Sequence, residues 1–478
     1  MRGLLSSGAL GGCALLSAAT LSFAGTPAAK ASSVPPAPTP WVRISGVTND
    51  STAAGVQLGL ARTAGGTLNV VWNRGQANTS IFDTRISFAG KILGTKTVVT
   101  GWSGEGGLAL LALPNNTLQL FAAGSLGRSP YNGINTFTAP AAGAPWALTP
   151  KDSWGGLFAD EAPSIGATLT KTGEVITAWP GFYHTGLTSG ATASSIYPDM
   201  GYAELATDQK TGAVVVAGTT ISGQGGTYVK RLLPAPGPAL YLQSPSDSPQ
   251  SSGVSARIGA SGVYVAWANA TAETVKLTRY LGPTRTVVQG PLPGGGLGGA
   301  NTANVFAAPG GRLWVAWWAD RSNYLFVTRS NEAVSAFEPV QTLTLPANSN
   351  GVLPSSQVDG NGSAGPLDLF VDTEVGTEQG FMYTHVRALF ALKESLAQFH
   401  LLTKGPPVVL TLTDAGDPVP GAVISVDGKH LLTGASGTVT VSLAPGSHAA
   451  HANAPGYAPT SISFTVPTSK VKPLLPRS

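Results

Sequence analysis

An internal repeat of about 50 residues constrains the fold of this 478-residue chain more than any other feature. In each copy a turn leads into an alternating, β-rich run, and the seven runs end at Trp72, Phe121, Trp179, Ala217, Trp267, Trp317 and Phe370. In the three strongest copies a Thr-Arg pair follows the tryptophan, and its arginine is Arg85, Arg279 or Arg329. Two antiparallel strands joined by a loop explain this nearly constant offset.

A second short run, rich in small residues, precedes each turn, as at residues 55–59, 162–166 and 255–259. Small residues suit the innermost strand of a ring of sheets, because neighbouring sheets converge on the axis there. Repeats of four antiparallel strands around a channel form a β-propeller. The sequence therefore predicts an all-β protein with a β-propeller of about seven blades over residues 41–404; six blades or a distorted ring are the alternatives. Residues 41–44 are expected to add the outer strand of the last blade and close the ring.

The composition fits many short strands and excludes several classes of protein. The chain contains 61 Gly and 36 Pro, which favour turns between short strands, and 42% of its residues are hydrophobic. Only 11% are charged, whereas charged residues make up about 25% of an average soluble domain. The apolar share excludes intrinsic disorder, which needs few apolar residues and a high net charge. The formal charge of +4 is spread along the chain. We therefore expect no nucleic-acid partner, which would need clustered Lys and Arg.

Residues 1–31 have the character of a secretory signal peptide, because they hold an apolar stretch of small residues and no acidic residue. Cleavage is expected after Ala24 or Ala31, and residues 32–40 then form a linker; a membrane anchor is the alternative. Cys13, the only cysteine, follows Leu-Gly-Gly in a segment that resembles the lipobox of bacterial lipoproteins, which implies membrane attachment only if Cys13 is lipidated. We expect a bacterial protein that is secreted or associated with the cell surface, without disulfides in its mature chain.

The residue pattern of the chain changes near its C-terminus. Residues 388–400 contain no Gly or Pro, and this segment is predicted as a helix or as a last propeller strand. Residues 405–468 are predicted as a separate β-sandwich, followed by a tail at 469–478. Strict alternation at Val439 and Val441 predicts a half-buried strand within it.

Three motifs of this module are Pro-Val-Pro-Gly-Ala from Pro418, Leu-Ala-Pro-Gly from Leu443 and a closing Gly-Tyr at Tyr457. Together they resemble the carboxypeptidase regulatory-like domain, a small transthyretin-like β-sandwich. The resemblance implies a non-catalytic appendage that serves stability, surface attachment or contact with a partner.

In a four-stranded blade, the connections after the second strand and those into the next blade emerge on one face, which we term the loop face. Aromatic rings beside carboxylates on that face suit a sugar or another flat, hydroxylated ligand. The candidate ligand-binding residues are Arg74, Trp102, Glu105, Asp160, Tyr183, His184, Asp320 and Arg321. The alternative is that Asp320 and Arg321 form a local ion pair and that Asp160 is a solvated loop acid. The tryptophans that end the repeat runs are instead predicted to pack between blades.

The three copies that combine Trp with Thr-Arg resemble the repeat of sialidase-like (BNR-type) propellers. The Asp-box turn of that family, Ser-x-Asp-x-Gly-x-Thr-Trp, is missing, and residues 330–334 read Ser-Asn-Glu-Ala-Val in its place. The resemblance implies a propeller fold, and a sialidase reaction would need three arginines, a Tyr-Glu nucleophile pair and an Asp. Arg43 is a loose counterpart of the first arginine, and Tyr202 with Glu204 is a candidate for the pair.

These features predict a secreted, non-catalytic β-propeller that binds a glycan or a cell-surface protein on its loop face and carries an accessory β-sandwich. A secreted sialidase-like glycoside hydrolase is the alternative. A serine hydrolase is disfavoured because the chain has no Gly-x-Ser-x-Gly motif. We expect a monomer with no cofactor. We also expect no metal site, since His448 and His451 are three residues apart and strand alternation places them on opposite faces.

Overall fold

The structure is a computed structural model that describes most of the chain between residues 40 and 468. The described ranges are 40–45, 58–73, 79–103, 107–126, 133–149, 154–155, 164–179, 182–185, 194–195, 203–219, 226–242, 251–269, 274–280, 284–289, 300–319, 323–346, 365–375, 378–396 and 407–468. Within them the chain forms 36 strands, one 3-10 turn (Pro309–Gly311) and no α-helix, so the predicted all-β class is confirmed. The same ranges contain no helix long and apolar enough to cross a membrane.

The strands follow one another along the chain in seven groups, each antiparallel within itself, which we number as blades 1 to 7. Pairing of residues 102–103 with 125–126 joins blades 1 and 2, and parallel pairing of residues 251–252 with 302–303 joins blades 5 and 6. A short strand, β1 (Val42–Arg43), precedes blade 1. Blade 1 contains β2 (Gly59–Arg62), β3 (Leu68–Asn73), β4 (Thr79–Ile86) and β5 (Ile92–Ser103). Blade 2 contains β6 (Leu108–Ala112), β7 (Leu118–Leu126), β8 (Gly133–Ala139), β9 (Ala147–Leu148) and β10 (Trp154–Gly155). Blade 3 contains β11 (Gly166–Leu169), β12 (Val175–Trp179), β13 (Phe182–Thr185) and β14 (Ser194–Ser195).

The remaining blades follow along the chain. Blade 4 contains β15 (Glu204–Thr207), β16 (Val214–Thr219), β17 (Thr227–Leu233) and β18 (Leu240–Tyr241). Blade 5 contains β19 (Ser251–Ala256), β20 (Val263–Asn269), β21 (Thr274–Arg279) and β22 (Thr284–Gln289). Blade 6 contains β23 (Ala300–Ala307), β24 (Leu313–Ala319), β25 (Tyr324–Arg329) and β26 (Gln341–Thr344). Blade 7 contains β27 (Leu367–Val375) and β28 (Glu378–Val386).

The blades pack side by side because alternate residues of each second strand face opposite neighbours. In β16, for example, Val214 and Val216 belong to the apolar cluster shared with blade 3, whereas Val215 and Ala217 belong to the cluster shared with blade 5. The innermost strands also touch in succession, from β2 through β6, β11, β15 and β19 to β23. Each sheet is thereby covered on both faces.

The first and last blades also meet. Phe370, Phe381 and Tyr383 of blade 7 share an apolar cluster with Leu60 and other residues of blade 1. Residues 42–43 form β1, which pairs with β28 and so completes blade 7 as its outer strand, as the sequence predicts. The series of inter-blade clusters therefore returns to blade 1, which agrees with seven blades.

The residues that end the repeat runs are buried in these inter-blade clusters, with exposed fractions between 0% and 5%. Two of them repeat the same hydrogen bond, because the Trp72 and Trp267 indoles donate to Thr84 and Thr278 at 3.0 Å. These threonines precede the repeat arginines, so the Trp and Thr-Arg motif joins the second strand of a blade to the third. The predicted packing role of the tryptophans is confirmed.

Small residues on the innermost strands are required by the close approach of the blades. A Cβ added to Gly166 of β11 would lie 2.7 Å from the carbonyl oxygen of Ala203 in blade 4. A Cβ added to Gly253 of β19 would lie 2.8 Å from Asn304 Oδ1 in blade 6. The crowding expected at the axis is therefore present.

The C-terminal module is a two-sheet β-sandwich. One sheet contains β29 (Ala391–Leu396), β30 (Val408–Asp414), β31 (Asp417–Pro418) and β34 (Thr438–Val441). The other contains β32 (Val423–Val426), β33 (Lys429–Leu432), β35 (Gly446–Asn453) and β36 (Thr460–Val466). Buried and partly exposed residues alternate along β30, as expected for a strand with one face on the core.

The boundary of this module lies earlier than residue 405. Residues 391–396 form β29, which pairs with β30 along its whole length, and Ala388 bridges to Tyr457. This segment is therefore neither a helix nor a propeller strand; backbone hydrogen bonds to the module outweigh its local helical composition. The module and blades 6 and 7 share one apolar core, in which Trp314, Val386 and Leu410 are buried together.

Replacement of Gly166 by Ala should destabilise the propeller by about 1–3 kcal/mol, because the new methyl group meets backbone atoms that cannot move independently. The matched control is Gly65→Ala, where the nearest atom to the new Cβ is 3.9 Å away, and it should change stability by about 0.5 kcal/mol or less. Chemical denaturation of both variants measures the difference. Equal midpoints for the two variants would contradict the close packing of blades 3 and 4.

Candidate functional site

The innermost strands begin on the loop face. In blade 4, β15 runs away from that face to a tight turn at residues 208–213, and β16 returns to it. Glu204, the first residue of β15, pairs with Ala217, the residue that ends the repeat run of this blade. Its backbone therefore lies near the axis, at the loop-face end of the innermost strand.

Glu204 stands where two other blades carry alanine. In blades 2 and 6, the innermost-strand residues that pair with the run ends Phe121 and Trp317 are Ala109 and Ala303. Glu204 as a residue is partly exposed, and its carboxylate accepts a hydrogen bond from the backbone N–H of Val254 in blade 5, at 3.0 Å from Oε2. A carboxylate thus replaces a methyl group between blades 4 and 5.

Burial raises the pKa of the Glu204 carboxyl from 4.5 to about 7, and the hydrogen bond from Val254 opposes this shift only in part. Near neutral pH the group therefore exists both as a neutral acid, which donates a hydrogen bond, and as a carboxylate, which accepts one. Such a carboxyl suits a hydroxylated ligand and also suits proton transfer.

Two other polar side chains lie on neighbouring innermost segments. Ser164, just before β11, is buried and accepts a hydrogen bond from the Ala203 N–H at 2.9 Å. Asn304 of β23 is buried beside Gly253. Glu204 is therefore accompanied by polar groups from blades 3 and 6 around the axis.

Asp83 is a second acid with a raised pKa, about 6, and burial is again the main cause. It is fully buried between blades 1 and 2, where the Trp146 indole donates to its Oδ2 at 3.3 Å. Because no solvent reaches this carboxyl, we interpret it as part of the packing and not as a ligand site.

Trp102 is wrongly predicted as a ligand-binding residue. It is 0% exposed on β5 and packs edge-on against Phe137 of blade 2, with the ring centroids 5.9 Å apart. The strand pairing that continues from β5 into β7 places this indole inside the core between blades 1 and 2.

Tyr183 and His184 belong to a strand and not to a loop, because β13 pairs them with Ala178 and Thr177 of β12. The other predicted ligand-binding residues lie outside the described residues: Arg74, Glu105, Asp160, Asp320 and Arg321. Sequence reasoning did not include Glu204 among the ligand-binding residues. The available signal was one acid at the start of a run of otherwise small or apolar innermost-strand residues.

Two of the arginines considered for a sialidase reaction, Arg43 and Arg329, take part in strand pairing and in core packing. Arg43 lies on β1, the outer strand of blade 7, and pairs with Met382 far from the innermost strands. Arg329 is fully buried, with its guanidinium 5.8 Å from the centre of the Trp314 ring. The described residues thus offer no arginine cluster at the axis of the kind that a sialidase reaction needs.

The described part of the chain contains no group of three His, Cys, Asp or Glu side chains placed to hold a metal ion. His448 faces the side of β35 that carries Ala450 and Ala452, and its Nδ1 lies 2.7 Å from Asp427 Oδ2. His451 lies exposed on the opposite side of the strand. The predicted separation of the two histidines is confirmed.

No protein-family model matches the chain, and no curated protein matches its sequence. Among solved structures it is similar to the BP39L lectin from Burkholderia pseudomallei, at 14% identity and a TM-score of 0.48 over 82% of this chain and 99% of the lectin. It is also similar to the α-L-arabinofuranosidase Arb93A from Fusarium graminearum, at 11% identity and a TM-score of 0.41 over 73% of this chain and 98% of the arabinofuranosidase. A third similar structure is the Penicillium chrysogenum α-L-arabinanase complexed with arabinobiose, at 13% identity and a TM-score of 0.39 over 65% of this chain and 99% of the arabinanase. These TM-scores lie below 0.5, so the propeller assignment rests on the sheets and clusters described above.

The raised pKa of Glu204 predicts a specific pH dependence of stability. The folded protein keeps this proton up to a pH of about 7, whereas the unfolded chain releases it near 4.5. Stability should therefore fall as the pH rises between these values, by about 3 kcal/mol, and Glu204→Gln should remove that fall. Denaturation midpoints at several pH values measure it.

The control for this experiment is Glu174→Gln, which changes an exposed glutamate in the turn of blade 3 on the opposite face. It should leave the pH profile unchanged. If the Glu204→Gln profile matched that of the unmodified protein, the burial of this carboxyl would be disproved.

Proposed function

We propose that this protein is a secreted β-propeller that binds a glycan at the loop-face end of its innermost strands without cleaving it. The observation that carries the proposal is Glu204, a partly exposed residue near the axis whose carboxyl has its pKa raised to about 7 by burial. A sugar hydroxyl both donates and accepts hydrogen bonds, so it can pair with either protonation state of this group.

Glycan binding is favoured over glycan hydrolysis because the described innermost strands carry one carboxylate and not two. Glycosidases use two carboxyl groups at a defined separation across the scissile bond. Among the described residues of the innermost strands, residues 59–62, 107–112, 164–169, 204–207, 251–256 and 300–307, Glu204 is the only acid. A single carboxyl can orient a sugar, but it supports neither the retaining nor the inverting mechanism alone.

Glycoside hydrolysis is the second candidate function. It is favoured by the same pKa, because a glutamate that is half protonated near neutral pH suits general acid catalysis. It would require a second carboxylate from the loop face, where Glu105 and Asp160 are the predicted candidates.

The remaining parts of the proposal concern location and the C-terminal module. Residues 1–31 are proposed to direct secretion and to be removed. The module is proposed to be a carboxypeptidase regulatory-like domain that supports the propeller. Its apolar core, continuous with that of blades 6 and 7, supports a stabilising role.

A glycan array probed with the labelled protein tests the proposal. We expect a defined set of bound glycans, and we expect Glu204→Ala to weaken binding to them by about tenfold or more, since a hydrogen bond to a charged group contributes about 1.5–3 kcal/mol. The matched control, Glu174→Ala on the opposite face, should bind like the unmodified protein. Absence of any glycan signal, or equal binding by both variants, would contradict the proposed site.

Chromogenic glycosides separate the two candidate functions. Incubation of the bound class of sugar with the protein should release no product. Product release that is lost in Glu204→Gln, and also in Asp160→Asn or Glu105→Gln, would establish the hydrolase instead.

A further inference from the structure

A cluster of charged side chains is buried where the C-terminal module meets blade 6. Arg312 and Arg329 come from the two ends of the β24–β25 hairpin, and Glu338 comes from the segment after β25. Asp414 and Asp417 come from the module, at the turn between β30 and β31. The side chains of Arg329 and Asp414 are 0% exposed, and that of Glu338 is 1% exposed.

The two aspartates balance the two arginines. Arg312 forms an ion pair with Asp417, and its Nε lies 3.6 Å from Asp414 Oδ2. Arg329 Nη1 donates to the same Asp414 oxygen at 3.2 Å, and the Tyr457 hydroxyl donates to it at 2.7 Å. All the hydrogen bonds to Asp414 therefore fall on Oδ2.

Glu338 is the surplus acid of the cluster. Its Oε2 accepts a hydrogen bond from the Leu389 N–H at 3.0 Å, while Oε1 lies 3.9 Å from Arg329 Nη1. The remaining charged neighbours are Glu332, whose side chain is 63% exposed, and Arg257, which binds the Glu332 backbone carbonyl. Because Asp414 and Asp417 already match the charges of Arg329 and Arg312, an ionised Glu338 would add one buried negative charge to the cluster, and such a charge is costly.

Two carboxyl oxygens in this cluster are buried without a hydrogen-bond partner: Glu338 Oε1 and Asp414 Oδ1. The two carboxyl groups that own them both lie within 4 Å of Arg329 Nη1, one on each side of the junction. A proton on one oxygen would turn it into a donor for the other. One proton would therefore satisfy both atoms and remove the surplus charge.

We propose that Glu338 of the propeller and Asp414 of the C-terminal module share one proton, and that this proton holds the module in place on blade 6. Loss of the proton at higher pH leaves two adjacent carboxylates and weakens the junction. Burial and the Asp414 charge raise the pKa of Glu338 well above its usual value, and Arg329 lowers it only in part, in agreement with this assignment.

The sign of the pH effect follows from where the proton is bound. The folded junction keeps it above pH 4.5, the ordinary pKa of a glutamate, whereas the undocked chain releases it there. Opening of the junction therefore becomes more favourable as the pH rises, and its equilibrium constant grows up to about tenfold per pH unit for one proton.

Infrared spectroscopy detects the proton directly. With ¹³C-labelled glutamate, the unmodified protein at pH 8 should show the carbonyl band of a protonated buried carboxyl, and Glu338→Gln should lose most of it, leaving the small contribution of Glu204, whose pKa is about 7. The band should also decrease on further alkaline titration of the unmodified protein, a measurement that needs no variant. Absence of the band at pH 8 would overturn the proposal.

Hydrogen exchange tests the consequence for docking. Corrected for intrinsic rates, protection of the Leu389 and Ala458 amides should fall with pH relative to amides of β12, which lies in blade 3. Glu338→Gln should keep this ratio constant, because glutamine is neutral at every pH, and Glu332→Gln should behave like the unmodified protein. A ratio that is independent of pH in the unmodified protein, or one that still falls in Glu338→Gln, would overturn the linkage.

Discussion

The architecture depends on one packing relation, in which each second strand sends alternate side chains to opposite neighbours. β20 shows it fully: Val263, Val265 and Trp267 join the cluster with blade 4, and Tyr264, Ala266 and Ala268 join the cluster with blade 6. A strand that is buried on both faces has no solvated side, so it reads as a nearly continuous apolar run. A single blade could not bury such a strand, and its stability depends on both neighbours.

The same relation explains why charge is scarce and where it is found. Two-sided burial removes positions for Lys and Glu, in agreement with a charged fraction of 11%. Near the axis the requirement is stricter, since Gly166 and Gly253 have no room for a Cβ. Glu204 breaks this pattern, since alanine fills the matching position of blades 2 and 6. An exception to packing at the axis is a better indicator of function than a polar residue in a loop.

The C-terminal module is part of the same body as the propeller. Its core is continuous with that of blades 6 and 7, and the Arg329–Asp414 pair links residues 85 positions apart. Buried ion pairs add little net stability when they replace apolar contacts, but removal of one partner is costly. The charged junction therefore makes docking specific, and through Glu338 it makes docking dependent on a proton.

Local alternation and spacing were enough to predict the strands, the seven repeats and the buried tryptophans. These features depend on short-range patterns that persist in any arrangement of the blades. The surroundings of individual side chains depend on contacts between distant segments. Only the tertiary structure showed that Trp102 is enclosed by blade 2, that residues 391–396 pair with β30, that Glu338 is buried, and that burial raises the pKa of the Glu204 carboxyl, because burial is set by neighbours that are remote in the chain.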